Sequence, residues 1–156
     1  MNTINSDAEL QALVDDAASG YPKRVAVGLD QQRLAMHLAV LHRHCGITLG
    51  DQDVFANVVG GVRIAETGAD LAVLLAVLGS FRDRVLPKSL IVFGELGLTG
   101  EVRPVANGQE RLREAAKHGF KQAIVPFANR PKESLGGLTV HGVKTLSSAL
   151  EVLANV

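Results

Sequence analysis

Leu71 to Leu78 (LAVLLAVL) is the longest apolar run in this chain, and it sets the terms for what surrounds it. Eight apolar residues fall far short of the roughly 20 that a bilayer-spanning helix needs. A helix built from them has no polar side, so it must be the most buried one in the fold. Thr67 and Asp70 have the spacing of a capping box, with Asp in place of the usual Glu. They predict a helix of about 15 residues ending near Asp83.

The rest of the chain reads as elements that bury this helix. Residues 7–18 predict a short amphipathic helix with Leu10, Leu13 and Val14 on one side, broken by Ser19-Gly20-Tyr21-Pro22. Residues 1–6 read as a flexible leader, which leaves 7–156 as one domain. Arg24–Leu29 is strand-like, and Asp30 caps a helix over Gln31–His44 that Gly46 ends. Asp53–Ile64 reads as a strand bent at Gly60-Gly61, and Ser89–Phe93 as a continuous apolar strand. Gly94, Gly97 and Gly100 punctuate a hairpin returning through Glu101–Val105. Asn107, with Glu110 three residues on, caps the next helix, in which Leu112, Ala115, Ala116 and Phe120 share a face. Gln122–Val125 and Leu138–Val143 are strands about a polar loop, and Thr145 caps a last helix. The expected class is α/β (α+β) with a mixed sheet and packed helices.

Sixteen basic and sixteen acidic residues cancel in these 156 residues, so no global field draws the chain to nucleic acid or membrane. Any such contact must come from a local patch. A single cysteine, Cys45, excludes an internal disulfide and suits a reducing, cytoplasmic setting. Met1–Asp7 is polar and has no signal-peptide character, and no membrane partner is expected.

Three kinds of catalytic signal are weak. No serine sits in a G-x-S-x-G elbow. His37, His42, His44 and Cys45 lack the spacing of four that places two metal ligands on one helix face, so the histidines are expected to face solvent and no metal site is expected. Gly94–Gly100 lacks the Gly-Lys-Ser/Thr ending of a phosphate loop and leads into a strand rather than a helix. Glu95 and Glu101 at that hairpin are expected to be solvated.

Two helix beginnings remain. GLTGEVRPVANGQERLREAAKHGFKQAIVP resembles the Lon protease segment that carries the catalytic lysine, and AETGADLAVLLAVL resembles the segment that carries its serine. That likeness implies a fold like the Lon proteolytic domain, within the ribosomal protein S5 domain 2-like group. At the serine position this chain has Gly68, and at the lysine position Gln109. Glycine offers no nucleophile, and a neutral glutamine cannot serve as base. Thr67 is the only hydroxyl beside Gly68, and it defines the alternative, an active Lon-family serine peptidase with an unrecognised nucleophile.

Over about Tyr21 to Val152 the chain is more similar to the C-terminal domain of the RadA (Sms) family of bacterial repair proteins, in RVAVGLDQQRLAMHLAVLHRH, NVVGGVRIAETGADLAVLLA and FGELGLTGEVRPV. The resemblance implies a degenerate peptidase that supplies DNA binding and ring contacts to a hexameric motor acting in recombination and branch migration, with a recombinase as a further partner. ATP and zinc are expected only in N-terminal domains outside this sequence, and no cofactor within it. Arg63 and Arg103, on strands leading to Gly68 and Gln109, are expected to face one groove and to contact single- or double-stranded DNA through phosphates. Arg82, Arg84 and Lys88 would extend a basic stripe. Each arginine also has a plain structural role open to it, in pairing with Glu66 or Glu95, or at a solvated helix end.

Overall fold

A computed structural model describes residues 2–6, 8–61 and 66–156. Its centre is a seven-stranded mixed sheet in the order β3-β4-β2-β1-β5-β8-β9. The strands are β1 (Asn2–Asn5), β2 (Glu9–Asp16), β3 (Arg24–Val27), β4 (Gln52–Val58), β5 (Leu90–Val92), β8 (Gln122–Pro126) and β9 (Thr139–Val143). A separate ribbon pairs β6 (Glu95–Leu96) with β7 (Val102–Arg103). The helices are α1 (Gln31–Cys45), α2 (Asp70–Phe81), α3 (Gly108–Lys117) and α4 (Leu146–Leu153). The α/β class and mixed sheet expected from the sequence are what the chain forms.

α2 is buried along its length, as its composition requires, from Asp70 through Ser80. It lies across β1 and β2, with α1 and α4 packed beside it on the same side of the sheet. Its last turn is fastened by Ser80, whose hydroxyl accepts the Val14 N–H at 2.9 Å where β2 runs past the end of β1. α3 occupies the opposite face, where Leu112 and Ala115 close over Ile91, Phe93, Ala123 and Val125. The strand period of two explains the split: Val92 and Ile124 join the α2 side, and their neighbours join the α3 side.

Several local signals act as expected. Asp30 caps α1 by accepting the N–H groups of Gln32 and Arg33, and Gly46 ends the helix in the left-handed region. Thr145 caps α4 through the Ser148 N–H.

Two N-terminal expectations need correction. Within the stretch read as a flexible leader, Asn2–Asn5 forms a strand between β2 and β5, and Ile4 is buried. Residues 8–18 are not helical either. Glu9–Asp16 pairs antiparallel with β4 over seven residues, from Leu10↔Val58 to Asp16↔Gln52. Leu10 and Ala12 point into the core, while Leu13 is 43% exposed on the other face. The spacing of Leu10, Leu13 and Val14 suits a helix, but the alternation of Leu10, Ala12 and Val14 is the one tertiary packing selects.

The two capping boxes also differ from expectation. Thr67–Ala69 forms a 3₁₀ turn ahead of α2 with no side-chain cap, because Asp70 is engaged elsewhere. Asn107 takes a left-handed conformation and makes no side-chain cap to α3. β4 gives way at Val59 to a 3₁₀ turn through Gly60, so the expected bend is present, and the rest of the expected strand lies outside the described residues.

Candidate functional site

The beginning of α2 and the end of β5 are joined by two backbone bonds. Leu71 N–H donates to the Gly94 carbonyl at 3.0 Å, and Gly94 N–H donates to the Gly68 carbonyl at 2.9 Å. Gly94 has φ 150°, and a Cβ there would stand 3.1 Å from Val102 and 3.4 Å from Leu71, so this junction has room only for glycine.

Gly68 is buried at this junction and closed over. A Cβ on it would meet Arg111 Nη1 at 3.2 Å and Val105 Cγ1 at 3.4 Å, with Glu66 Oε1 at 3.7 Å. Arg111 pairs with Glu66 at 3.2 Å, so an ion pair lies across the place a nucleophile would occupy. Gln109 faces elsewhere. Its Nε2 donates to the Arg130 carbonyl at 3.2 Å. Gln109 and Arg111 are two apart on α3, roughly 200° around the helix, so turning Arg111 toward Gly68 turns Gln109 away. Gly68 and Gln109, the positions that match the Lon serine and lysine, do not form a pair.

A cavity of about 140 Å³ lies beside this junction, lined by Arg33, His37, Glu66, Thr67 and Asp70 among others. Its chemistry is that of a locked charge network. Arg33 grips Asp70 in a fork, Nε to Oδ1 at 2.8 Å and Nη2 to Oδ2 at 2.7 Å. The Leu96 N–H adds a third donor to Oδ2 at 3.0 Å. Thus Asp70 spends its charge on α1 and the β6–β7 ribbon. The Asp70 interaction, with Glu95 3.8 Å from Arg33, raises the arginine pKa above its ordinary value. His37 is 4% exposed rather than solvent-facing, which corrects the sequence expectation for it. Burial pushes its pKa down, and Arg33 adds to this, against the pull of Asp70. At 3.8 Å from Asp70 it is beyond hydrogen-bond reach, so Asp70 does not orient it as a base for Thr67. His42 and His44 are exposed as expected, the latter bonded to the Leu98 carbonyl at 3.0 Å.

The remaining predicted residues are scattered. Arg63 lies outside the described residues. Arg103 is 54% exposed on β7 and reaches Glu101 at 3.4 Å. Its pocket includes Glu95 and Glu101 and is lined by neither Gln109 nor Gly68. Glu101 itself is bonded by the Thr99 side chain and backbone, which holds its carboxyl below the usual range.

Arg84 bonds the carbonyls of Leu153 and Val156, so it fastens the end of the chain beyond α4 and is not a free phosphate ligand. Arg82 and Lys88 are exposed. They lie where α2 ends and β5 begins, whereas Gly94 and the ribbon bearing Arg103 lie where α2 begins, about 18 Å away along a 12-residue helix. Arg82 and Lys88 thus lie toward the far end of α2 from Arg103.

Sequence reasoning missed the cluster around Phe127. The Arg130 guanidinium lies 3.5 Å from the centre of the Phe127 ring, and Lys144 Nζ lies 4.5 Å from it. The signal was the polar loop from Asn129, which holds Arg130 and Lys132 three and five residues after an exposed aromatic, Phe127. The pairing with Lys144, beyond β9, could not be read from spacing.

Comparison with known proteins defines the class. The chain belongs to the family described as subunit ChlI of Mg-chelatase, whose model matches residues 13–129. It is also homologous to the DNA repair protein RadA of several bacteria. Identity is 62% over 148 residues with that of Haemophilus influenzae, covering 95% of this chain and 32% of the relative. With the Escherichia coli protein it is 63% over 144 residues (92% and 31%), and with the Aquifex aeolicus protein 43% over 145 residues (93% and 32%). The resemblance to RadA repair proteins therefore holds over nearly the whole chain, which spans about a third of the length of these relatives. Among the described residues, no helix is long and apolar enough to cross a membrane.

Proposed function

We propose that this chain is the Lon-like, non-catalytic part of a RadA-type DNA repair protein, and that it supplies DNA binding and ring contacts. Its homology to RadA repair proteins supports the repair role. The parent protein is read as a cytoplasmic ATP-dependent DNA motor, hexameric, acting in recombination and branch migration alongside a recombinase. ATP and zinc belong in this reading to other parts of that protein.

One observation carries the non-catalytic half. Gly68 has no side chain, and the Arg111–Glu66 pair lies over it, while Gln109 is turned to the Arg130 carbonyl. No acyl-transfer step can be written with these groups, since neither an attacking atom nor a proton acceptor is in place. Exposed arginines with light or no pairing remain, and they suit phosphate contacts.

The experiment is binding of fluorescent duplex and single-stranded DNA by the purified chain at low salt. Weak binding that falls with added salt and drops on Arg103→Glu and Arg63→Glu is expected. Absence of all binding by a folded chain would remove the DNA half and leave assembly. Casein turnover that is lost in Thr67→Ala would overturn the non-catalytic half.

A further inference from the structure

Phe127, Arg130 and Lys144 form a built cluster. Arg130 is fixed from three sides. Its guanidinium lies on the Phe127 ring, its Nε donates to the Phe127 carbonyl at 3.1 Å, and its stem runs over Gly142, where a Cβ would stand 2.5 Å from Arg130 Cδ. Lys144 approaches the same ring. Among the described residues, no carboxylate lies within 4.0 Å of Arg130, Lys132 or Lys144. A groove of about 780 Å³ opens beside them, lined by Gln109, Phe127, Arg130, Lys132 and Ser134, with Glu133 its only carboxylate.

Ordering a long arginine at the surface costs side-chain entropy, which a salt bridge commonly offsets. Here no acid does so. The aromatic ring, the backbone carbonyl and the side-chain-free Gly142 hold the guanidinium instead, leaving its outer face and remaining donors open. A planar cation with an open face takes a stacked base, and its edge donors take phosphate oxygen. Lys132, which lines the groove, and Lys144, which lies on the Phe127 ring, add point charges. The phosphates of a single strand, spaced along such a groove, match this pattern, whereas the carboxylates of an acidic peptide would pair with the edge of Arg130 and leave its face without a stacking partner.

We propose that the Phe127–Arg130–Lys144 cluster and the groove of Gln109 and Lys132 form a site for single-stranded nucleic acid. Phosphates lie at Lys132, at Lys144 and at the edge donors of Arg130, and a base stacks on the outer face of Arg130. The proposal rests on the DNA-binding reading above and adds to it a cluster beside β7, where the Val102 N–H donates to the Lys144 carbonyl at 2.9 Å.

The test uses the whole chain and a labelled oligo-dT of about 20 nucleotides, long enough to fill a site of this kind. Folding of each variant is checked by circular dichroism. The double variant Arg130→Glu/Lys144→Glu is expected to bind at least about tenfold more weakly, with a salt slope reduced by about 1.4 for two lost single-strand phosphate contacts. Arg130→Lys keeps the charge and removes the plane, and is expected to bind several-fold more weakly. Unchanged binding in the double variant, with wild-type binding intact, would overturn this site and leave the DNA reading standing. Unchanged binding in Arg130→Lys, or equal affinity for a duplex of the same length, would overturn the stacked single strand in favour of plain phosphate attraction. No binding of either probe by the wild-type chain would overturn the DNA reading itself, and this site with it.

Discussion

Asn129 holds Val105 by both of its backbone groups: Oδ1 accepts the Val105 N–H at 2.8 Å, and Nδ2 donates to the Val105 carbonyl at 3.1 Å. This side chain thereby does the work of a neighbouring strand beyond the end of β7, on the segment that leads into α3. Asn129→Ala is expected to strip both partners from Val105 and to cost about 1–3 kcal/mol, visible as a lower urea midpoint. Gly108→Ala should act through the same contact. A Cβ at 108 would lie 2.4 Å from Asn129 Nδ2 and 2.9 Å from Asn129 Cβ, so the amide must leave its place.

The Arg33–Asp70 fork ties α1 to the first turn of α2, and Asp70 is 6% exposed. Removing one partner of a buried pair leaves the other charge without compensation. Arg33→Ala is expected to destabilise the fold by about 3 kcal/mol, at the low end for such pairs because Arg33 itself is partly exposed. Arg33→Lys should recover only part of this, since an ammonium cannot reproduce the two-pronged contact. Denaturant titration of the two variants side by side checks both statements.

His37 makes stability depend on pH. Burial holds its native pKa below the ordinary value of 6.5, with Arg33 adding to the effect and Asp70 and Glu95 opposing it. The native state thus binds a proton less readily than the unfolded chain. His37 leaves stability undiminished above pH 6.5, and stability declines as pH falls below it, levelling off once the native pKa is passed. The urea midpoint should therefore be lower at about pH 5.5 than at about pH 7.5, and His37→Gln should flatten that difference.

Restoring the two lost catalytic residue types should not restore catalysis. In Gly68→Ser/Gln109→Lys, the serine must displace Arg111 Nη1, 3.2 Å from its Cβ, and the lysine starts from a position turned toward Arg130. Casein turnover by the double variant is expected to stay at background. Measurable turnover would mean that α3 rotates or shifts to bring position 109 toward position 68.

Signals confined to a few neighbouring residues were legible in the sequence. Asp30 and Gly46 bound α1 as read, and the apolar run at Leu71 identifies the most buried helix, because each rests on local backbone chemistry. Where a residue's role depends on a distant partner, the sequence points the wrong way. Asp70 reads as a cap but serves Arg33, 37 positions earlier. Arg84 reads as a free cation but bonds carbonyls 69 and 72 positions later. Leu10, Leu13 and Val14 share a helical face while Leu10, Ala12 and Val14 share a strand face, and only pairing with β4 decides between the two readings. Gly68 and Gln109 were legible as departures from the Lon pattern. That they also face different ways follows from the rotation of α3, which no alignment of residue types contains.

The central sheet is less continuous than its seven strands suggest. Among the described residues, β1 and β5 share one paired position, Asn5↔Ile91, supplemented by the Asn5 side chain on the Lys88 carbonyl at 3.4 Å. On one side of this seam β2 and β4 are zipped over seven positions, and on the other β8 and β9 over five. Two well-knit plates therefore meet along a thin line, and α2, packed on β1 and β2 and bonded to Gly94 beyond β5, is the beam that bridges them. A pull on the β8–β9 plate, which carries Phe127 and Arg130 at its rim, would reach the rest of the molecule through that beam and through α4, which follows β9 and packs on α1 and α2, more than through the sheet.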